Sequence, residues 1–268
     1  MKLSFSTLAC PDWTMPQIIT TACSAGYDGI ELRFVEGEDS LWKLPVFCGK
    51  ELAATKRALS DHGLTISCLD TSCRFHSPDA AERSRGLTEG ERMADLATEL
   101  GAPGLRIFGD TIQPGAHRAS TRNWIADSIR KLAETTGPAG PEVWLETHGD
   151  FASAAETATI LESACPQAGA VWDPANCFLE ARERPGEGAA RLGTRIRHMH
   201  IKDLRQSHDG WKPTLTGEGD FPLSEVCAAL RQLGYDRFVS FEWEKKWHPE
   251  IADAAIALPH FVRWVRES

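Results

Sequence analysis

The sequence predicts an α/β fold of one domain: a (β/α)8 TIM barrel, a parallel eight-stranded barrel with outer helices, over residues 1–268. Three observations carry that expectation. Short runs rich in β-branched and aromatic residues alternate with longer segments of helical period, which is the pattern of repeated βα units. The chain has 268 residues, close to the about 250 that such a barrel takes as a single domain. No Pro/Gly/Ser-rich linker divides it, and "LACPDWTMP" follows the first strand where a doubly wound dinucleotide-binding sheet would carry a glycine-rich fingerprint.

In chain order, "KLSFS" (2–6) is the first strand and leads to a helix at 16–25. "GIELRF" (29–34) precedes a helix at 49–62, and "LTISCLD" (64–70) one at 79–101. "GLRIFG" (104–109) is followed by helical spacing at 119–136, and "EVWLET" (142–147) by a helix at 153–164. "AGAVWD" (168–173) precedes a helix at 182–193, and "IRHMHIK" (196–202) is separated from its helix at 223–233 by a long polar loop, 204–220. "RFVSFEW" (237–243) is the last strand, with a closing helix at 249–266. That long loop contains "GEGD" and Trp211; it either closes over a ligand or is a solvated loop using glycine for its turns.

Composition narrows the function classes. A chain 42% hydrophobic and 25% charged holds enough apolar material for a core of this size, which excludes a disordered chain. The net charge of -9 argues against a partner rich in phosphate, whether nucleic acid or anionic membrane, and favours a small molecule. Eight cysteines are scattered without a Cys-x-x-Cys pair, as expected of reduced thiols in a cytoplasmic protein. The N-terminal apolar run is too short for a signal-peptide core, and no segment approaches a membrane span.

The strand ends carry the chemistry. With a two-residue period, "RHMHIKD" puts His198, His200 and Lys202 on one face and Met199 and Ile201 on the other. The same alternation sets Trp144, Glu146 and His148 against Val143 and Leu145, and Ser240, Glu242 and Glu244 against Phe241 and Trp243. The apolar faces pack under helices, so the polar sets point into the barrel. Glu146, Asp173 and His200 recur at equal intervals of 27 residues, one βα unit each, and Glu242 follows after the long loop. Three carboxylates converging in a barrel interior repel one another and lose solvation unless a cation neutralises them. Hard oxygen donors with one imidazole suit an open site for Mn²⁺, Mg²⁺, Co²⁺ or Zn²⁺. His198 and His200 face the same way, so period alone does not choose between them; His200 lies nearer the carboxyl end, where barrel chemistry collects.

Taken in order, "LETH", "WDPAN", "HMHIKD", "GEGDFPL" and "SFEWEKKWHPE", with "GIELR" near the second strand, resemble the sugar phosphate isomerase/epimerase family of xylose isomerase-like TIM barrels. The resemblance runs over most of the chain. It implies one divalent metal ion, Mn²⁺ first, held by Glu146, Asp173, His200 and Glu242, with Glu146 and Glu242 as the acid/base pair. The activity it implies is a sugar or polyol isomerase or epimerase acting by α-proton abstraction through a metal-stabilised enediolate. The alternatives are a keto-inositol (inosose) dehydratase of the same family, or a protein that binds metal and sugar without turnover. An abasic-site endonuclease shares the barrel, but it needs more histidines and a basic rim. Homo-oligomer formation is suggested by family habit.

Asn176 and Ala152 stand where ketose 3-epimerases of the family carry His and Glu, which puts a plain ketose epimerase in doubt. His148, Asn176, Lys202, Trp13 and Arg106 are the candidate substrate-binding residues. Lys202 would hold a substrate carboxylate, phosphate or hydroxyl, or pair with Glu31; Arg33 and Arg106 would pair with Glu31 or with a substrate anion.

Overall fold

A computed structural model describes residues 1–267. Eight strands are parallel neighbours: β1 (Lys2–Phe5), β2 (Gly29–Leu32), β3 (Thr65–Arg74), β4 (Gly104–Phe108), β5 (Glu142–Glu146), β6 (Gly169–Trp172), β7 (Ile196–Ile201) and β10 (Phe238–Phe241). Their order is β1-β10-β7-β6-β5-β4-β3-β2, and a single parallel bridge between Ser6 and Glu31 brings the two ends of the sheet together. The barrel is therefore nearly closed, with one loosely bonded seam. The nine helices among the described residues are α1 (Met15–Ala25), α2 (Gly49–Asp61), α3 (Ala80–Leu100), α4 (Arg118–Thr136), α5 (Ala154–Ala164), α6 (Pro174–Ala181), α7 (Pro185–Leu192), α8 (Leu223–Leu233) and α9 (Ala254–Glu267). None is long and apolar enough to cross a membrane.

The alternation in each strand sorts its residues as expected. Leu105, Ile107, Val143, Leu145, Met199, Ile201 and Phe241 are buried in the large core between sheet and helices. Inside the barrel the apolar filling is small: Cys68, Trp144 and Val171 form a cluster of their own. Barrel interiors are ordinarily filled by branched apolar side chains. Here Trp144 is the large interior plug, its ring parallel to that of His198 with centroids 5.8 Å apart. Gly104 makes room for it, since a Cβ there would lie 2.2 Å from the indole.

Two departures from the expected elements sit beside the site. The stretch 204–220 is not one irregular loop: β8 (Asp203–Ser207) and β9 (Gly210–Thr214) form an antiparallel hairpin. Asp203 ties its base, one carboxylate oxygen accepting from Gly217 N and Gly219 N at 2.8 Å each and the other from Leu204 N. A Cβ at Gly219 would sit 2.2 Å from that carboxylate, so glycine is needed there for close approach. The second departure is α6, which begins immediately after β6. Asp173 caps it, with Oδ1 accepting from Ala175 N (2.8 Å) and Asn176 N (2.9 Å), and Pro174 fits the first turn, where no N–H is needed. The final helix starts at Ala254, after a turn-rich stretch that occupies the first residues expected to be helical.

Candidate metal centre and active site

Asp173 shows how a backbone motif makes a ligand. Its Oδ1 is consumed by the helix cap, so its Oδ2 is left without a hydrogen bond of its own, 2.9 Å from the Lys202 ammonium and 3.9 Å from His200 Nδ1. Thr147 fixes the backbone at this point, its hydroxyl accepting from Asp173 N at 2.8 Å. Around Asp173, the barrel brings together Glu146, His200 and Glu242, all buried, and one ligand atom from each of the four lies within 4.8 Å of the others. His200 Nδ1 is 3.3 Å from Glu146 Oε1, 3.3 Å from Glu242 Oε1 and 3.9 Å from Asp173 Oδ2, yet its geometry makes no hydrogen bond with any of them.

The other face of His200 explains that. Glu31, fully buried, accepts from His198 Nε2 at 2.5 Å and from His200 Nε2 at 3.0 Å. Burial alone would push the Glu31 carboxyl up, but His200 and His198 hold it well below the usual carboxylate range. An ionised Glu31 needs donors, so each Nε2 carries its proton. In a neutral His200 the lone pair then sits on Nδ1, aimed at three carboxylates, which is stable only with a cation between them.

Charge gives the same result. With every group ionised, Glu31, Asp70, Glu146, Asp173 and Glu242 face Arg33, Arg106 and Lys202, leaving these eight buried groups with an excess of two negative charges, apart from Asp203 at the hairpin base. Without a cation, protons must relieve it. Burial opposes a charged His200, but Glu31, Glu242 and Glu146 raise its pKa well above the ordinary value. Burial raises Asp70 to about 8 against the pull of Arg106, and raises Glu242 to about 7 against Lys202 and His200. Glu146 stays ionised: burial is outweighed by Arg106, whose Nε is 3.2 Å away, and by His200. The buried unpartnered atoms, the donor types and the charge deficit all fit a divalent metal ion held by Glu146, Asp173, His200 and Glu242.

Above the cluster opens a cavity of about 350 Å³, lined by Glu146, Glu242, Glu244, Lys202, Arg106, Asn176, His148, Phe108, Arg33, Arg74, Leu8 and Trp247. Lys202 does not pair with Glu31; its Nζ lies 2.9 Å from Asp173 Oδ2 and donates to Glu242 (2.7 Å) and Glu244 (2.5 Å). Burial would depress it, but these carboxylates hold its pKa well above the ordinary value. Arg106 lines the cavity with its donors turned to Asp70 (3.0 Å), Glu146 and Thr71 O (3.2 Å), so it braces Glu146. Asn176 donates to Thr147 O at 3.2 Å, and half-exposed His148 stands at the rim against Phe108. Trp13 is not brought to this cavity; it lines a separate hollow with Lys245, Lys246 and Pro249. Trp243 packs on Phe241 in the outer core, and the aromatic residues of the cavity wall are Phe108 and exposed Trp247.

Sequence reasoning passed over Glu244 and Arg74 as site residues. The signal for Glu244 is its place two residues beyond Glu242, on the same face. For Arg74 it is the continuing alternation in "CLDTSCR": β3 runs four residues past its expected end at 70 and delivers Arg74 to the rim.

The family model described as "Xylose isomerase-like TIM barrel" matches residues 19–264. The chain belongs to the xylose isomerase-like TIM barrels. No curated protein matches the sequence. Among solved structures, this xylose isomerase-like barrel is similar to 3-keto-D-glucoside 4-epimerase, YcjR, from E. coli, with 19% identity, complete coverage of both chains (100% and 100%) and a TM-score of 0.79. It is similar to the IolI protein with a bound zinc atom, at 18% identity over 98% of this chain and 96% of that one, TM-score 0.79. A third similar structure is D-allulose 3-epimerase from Methylomonas sp. in complex with D-allulose, at 21% identity over 100% of this chain and 96% of that one, TM-score 0.79. At such identities the likeness speaks for the fold of this barrel.

Proposed function

We propose that the protein is a divalent-metal-dependent isomerase or epimerase of sugars or polyols, working by proton abstraction next to a carbonyl. The single observation that carries this reading is the buried Glu146–Asp173–His200–Glu242 cluster, whose ligand atoms converge within 4.8 Å beneath a polar cavity. Mn²⁺ is the first choice of metal, with Mg²⁺, Co²⁺ and Zn²⁺ compatible with the same donors. When bound, the cation supplies Lewis-acid stabilisation of the negative charge that develops on the substrate's carbonyl and hydroxyl oxygens.

The chain's own residues divide the proton work. Glu242 lines the cavity, where its carboxylate can accept and return a proton, as an acid/base group for α-proton transfer must. Lys202 holds Glu242 Oε2 at 2.7 Å, which fixes the rotamer of that carboxylate. Glu146 is the second acid/base carboxylate, kept ionised and oriented by Arg106. Phe108 and Trp247 present apolar faces for the C–H side of a sugar, and Asn176 and His148 offer polar edges to its hydroxyls.

The test is elemental analysis of purified wild type beside Glu146→Gln and His200→Ala, followed by incubation with ketoses and inososes in D₂O. About one equivalent of divalent metal in the wild type, sharply reduced in both variants, with deuterium entering a substrate at the carbon next to its carbonyl, is expected. Products that have lost water would identify the dehydratase instead. A wild type that takes up no metal even from Mn²⁺ solution overturns the mechanism.

A further inference from the structure

The cavity has two kinds of cation. Lys202 and Arg106 are committed to carboxylates on the floor, as their contacts show. Arg33 and Arg74 are not. Arg33 is buried at 5% exposure beside the ring of Phe34, with Nη2 donating to Ser72 at 2.7 Å. Its Nη1 has no hydrogen-bond partner among the described residues; the nearest carboxylate, Asp39, is 3.7 Å away and itself accepts from Ser72. Arg74 pairs with Asp110 at Nε, 2.9 Å away, and has no second carboxylate partner among the described residues. A buried guanidinium donor without a partner is costly, and a planar fork is suited to carboxylate or phosphate oxygens.

A divalent cation would offset the excess of carboxylates on the floor, and Arg33 Nη1 would still lack a hydrogen-bond partner among the described residues, beside Arg74 in the lining of the same cavity. We infer that the substrate is an anionic sugar or polyol, whose carboxylate or phosphate docks on Arg33 and Arg74 while its carbonyl end lies over the Glu146–Glu242 pair. This rests on the proposed isomerase or epimerase reading and adds its substrate class. The cavity of about 350 Å³ has room for one sugar unit bearing such a group.

The experiment measures binding to the Mn²⁺-loaded protein by calorimetry, with 5-keto-D-gluconate, D-fructose 6-phosphate and D-fructose as probes. At least one anionic probe should bind 10-fold or more tightly than D-fructose, and whichever does so identifies carboxylate or phosphate as the docking group. Arg33→Gln should lower that preference by about 10- to 100-fold. Arg74→Gln should lower it as well, and because Arg74 is exposed this variant keeps the test valid if Arg33→Gln fails to fold. Metal content stays at one equivalent in both variants. Equal binding of neutral and anionic probes, no binding of either anionic probe, or a preference untouched by both substitutions overturns the inference. Metal content and deuterium exchange report separately on the catalytic reading: exchange without anion preference sinks only the arginine corner, and anion preference without metal or exchange sinks only the mechanism.

Discussion

Replacing Glu31 by Gln tests how the metal centre is held from behind. Glu31 touches no proposed substrate atom; it is fully buried and accepts from two imidazoles, 2.5 Å from His198 and 3.0 Å from His200. A glutamine keeps the shape but has one acceptor oxygen where the carboxylate has two, and turns an NH₂ group toward the second histidine. If the amide oxygen serves His198, its NH₂ meets His200 Nε2, which must then give up its proton and carry it on Nδ1. That proton points at Glu146, Asp173 and Glu242 and removes the imidazole as a ligand. Losses of 10- to 100-fold in metal affinity are typical when the group orienting a ligand histidine is changed, about 1.4–2.7 kcal/mol. The assay is Mn²⁺ titration of metal-free protein against a competing chelator at pH 7.5, with circular dichroism to confirm the fold. A folded Glu31→Gln protein that binds Mn²⁺ as tightly as wild type would refute the tautomer argument, because His200 Nδ1 would then not need Glu31 to be a ligand.

Other consequences are equally open to measurement. The His200 pKa is raised well above its ordinary value and Glu242 is raised to about 7, so protons compete with the metal for this site. Mn²⁺ affinity should therefore rise with pH through neutrality and fall in acid, with protons released on binding; calorimetry in buffers of different ionisation enthalpy should show the release, and a flat profile from pH 6 to 8 would contradict it. Asp203→Asn leaves one acceptor oxygen where the carboxylate has two, so its NH₂ faces and orphans either Leu204 N–H or the Gly217 and Gly219 N–H pair, costing about 1–3 kcal/mol in urea unfolding; an unchanged midpoint would show that the hairpin base contributes no stability. Gly104→Ala drives a methyl against the Trp144 ring, which is held by Glu142 at 2.9 Å and packed on His198. Overpacking of this kind costs about 1–3 kcal/mol, or about 2–4 °C of Tm per kcal/mol, and an unshifted Tm would mean that the plug can slide.

Most of the strand framework was legible because a parallel barrel writes itself as repeats: eight apolar runs at βα spacing, each alternating with period two. That alternation is local covalent geometry, so it was enough to put Glu146, His200 and Glu242 on interior faces, and the 27-residue interval placed Asp173 at the matching height. The hairpin at 203–214 was not legible because its strands are short, polar and half-exposed, with no core face to impose a pattern. The helix α6 had a readable signal in Asp173-Pro174, an N-cap followed by proline, but it was masked by the reading of Asp173 as a strand end.

By itself, then, the sequence determined which barrel strands exist, which way their side chains face and which four residues end at the same level of the barrel. Who pairs with whom across the interior was decided only by the tertiary structure. Lys202 goes to Glu242, Glu244 and Asp173, and not to Glu31; Glu31 goes to the two histidines; Arg74 joins the cavity, and Trp13 is carried to a neighbouring hollow. Those partners lie on different strands, as many as 169 residues apart, and their distances depend on barrel stagger and on the path of each loop. Periodicity fixes the direction of a side chain from its own backbone; it holds no information about what another strand, shifted along the barrel axis, brings to meet it.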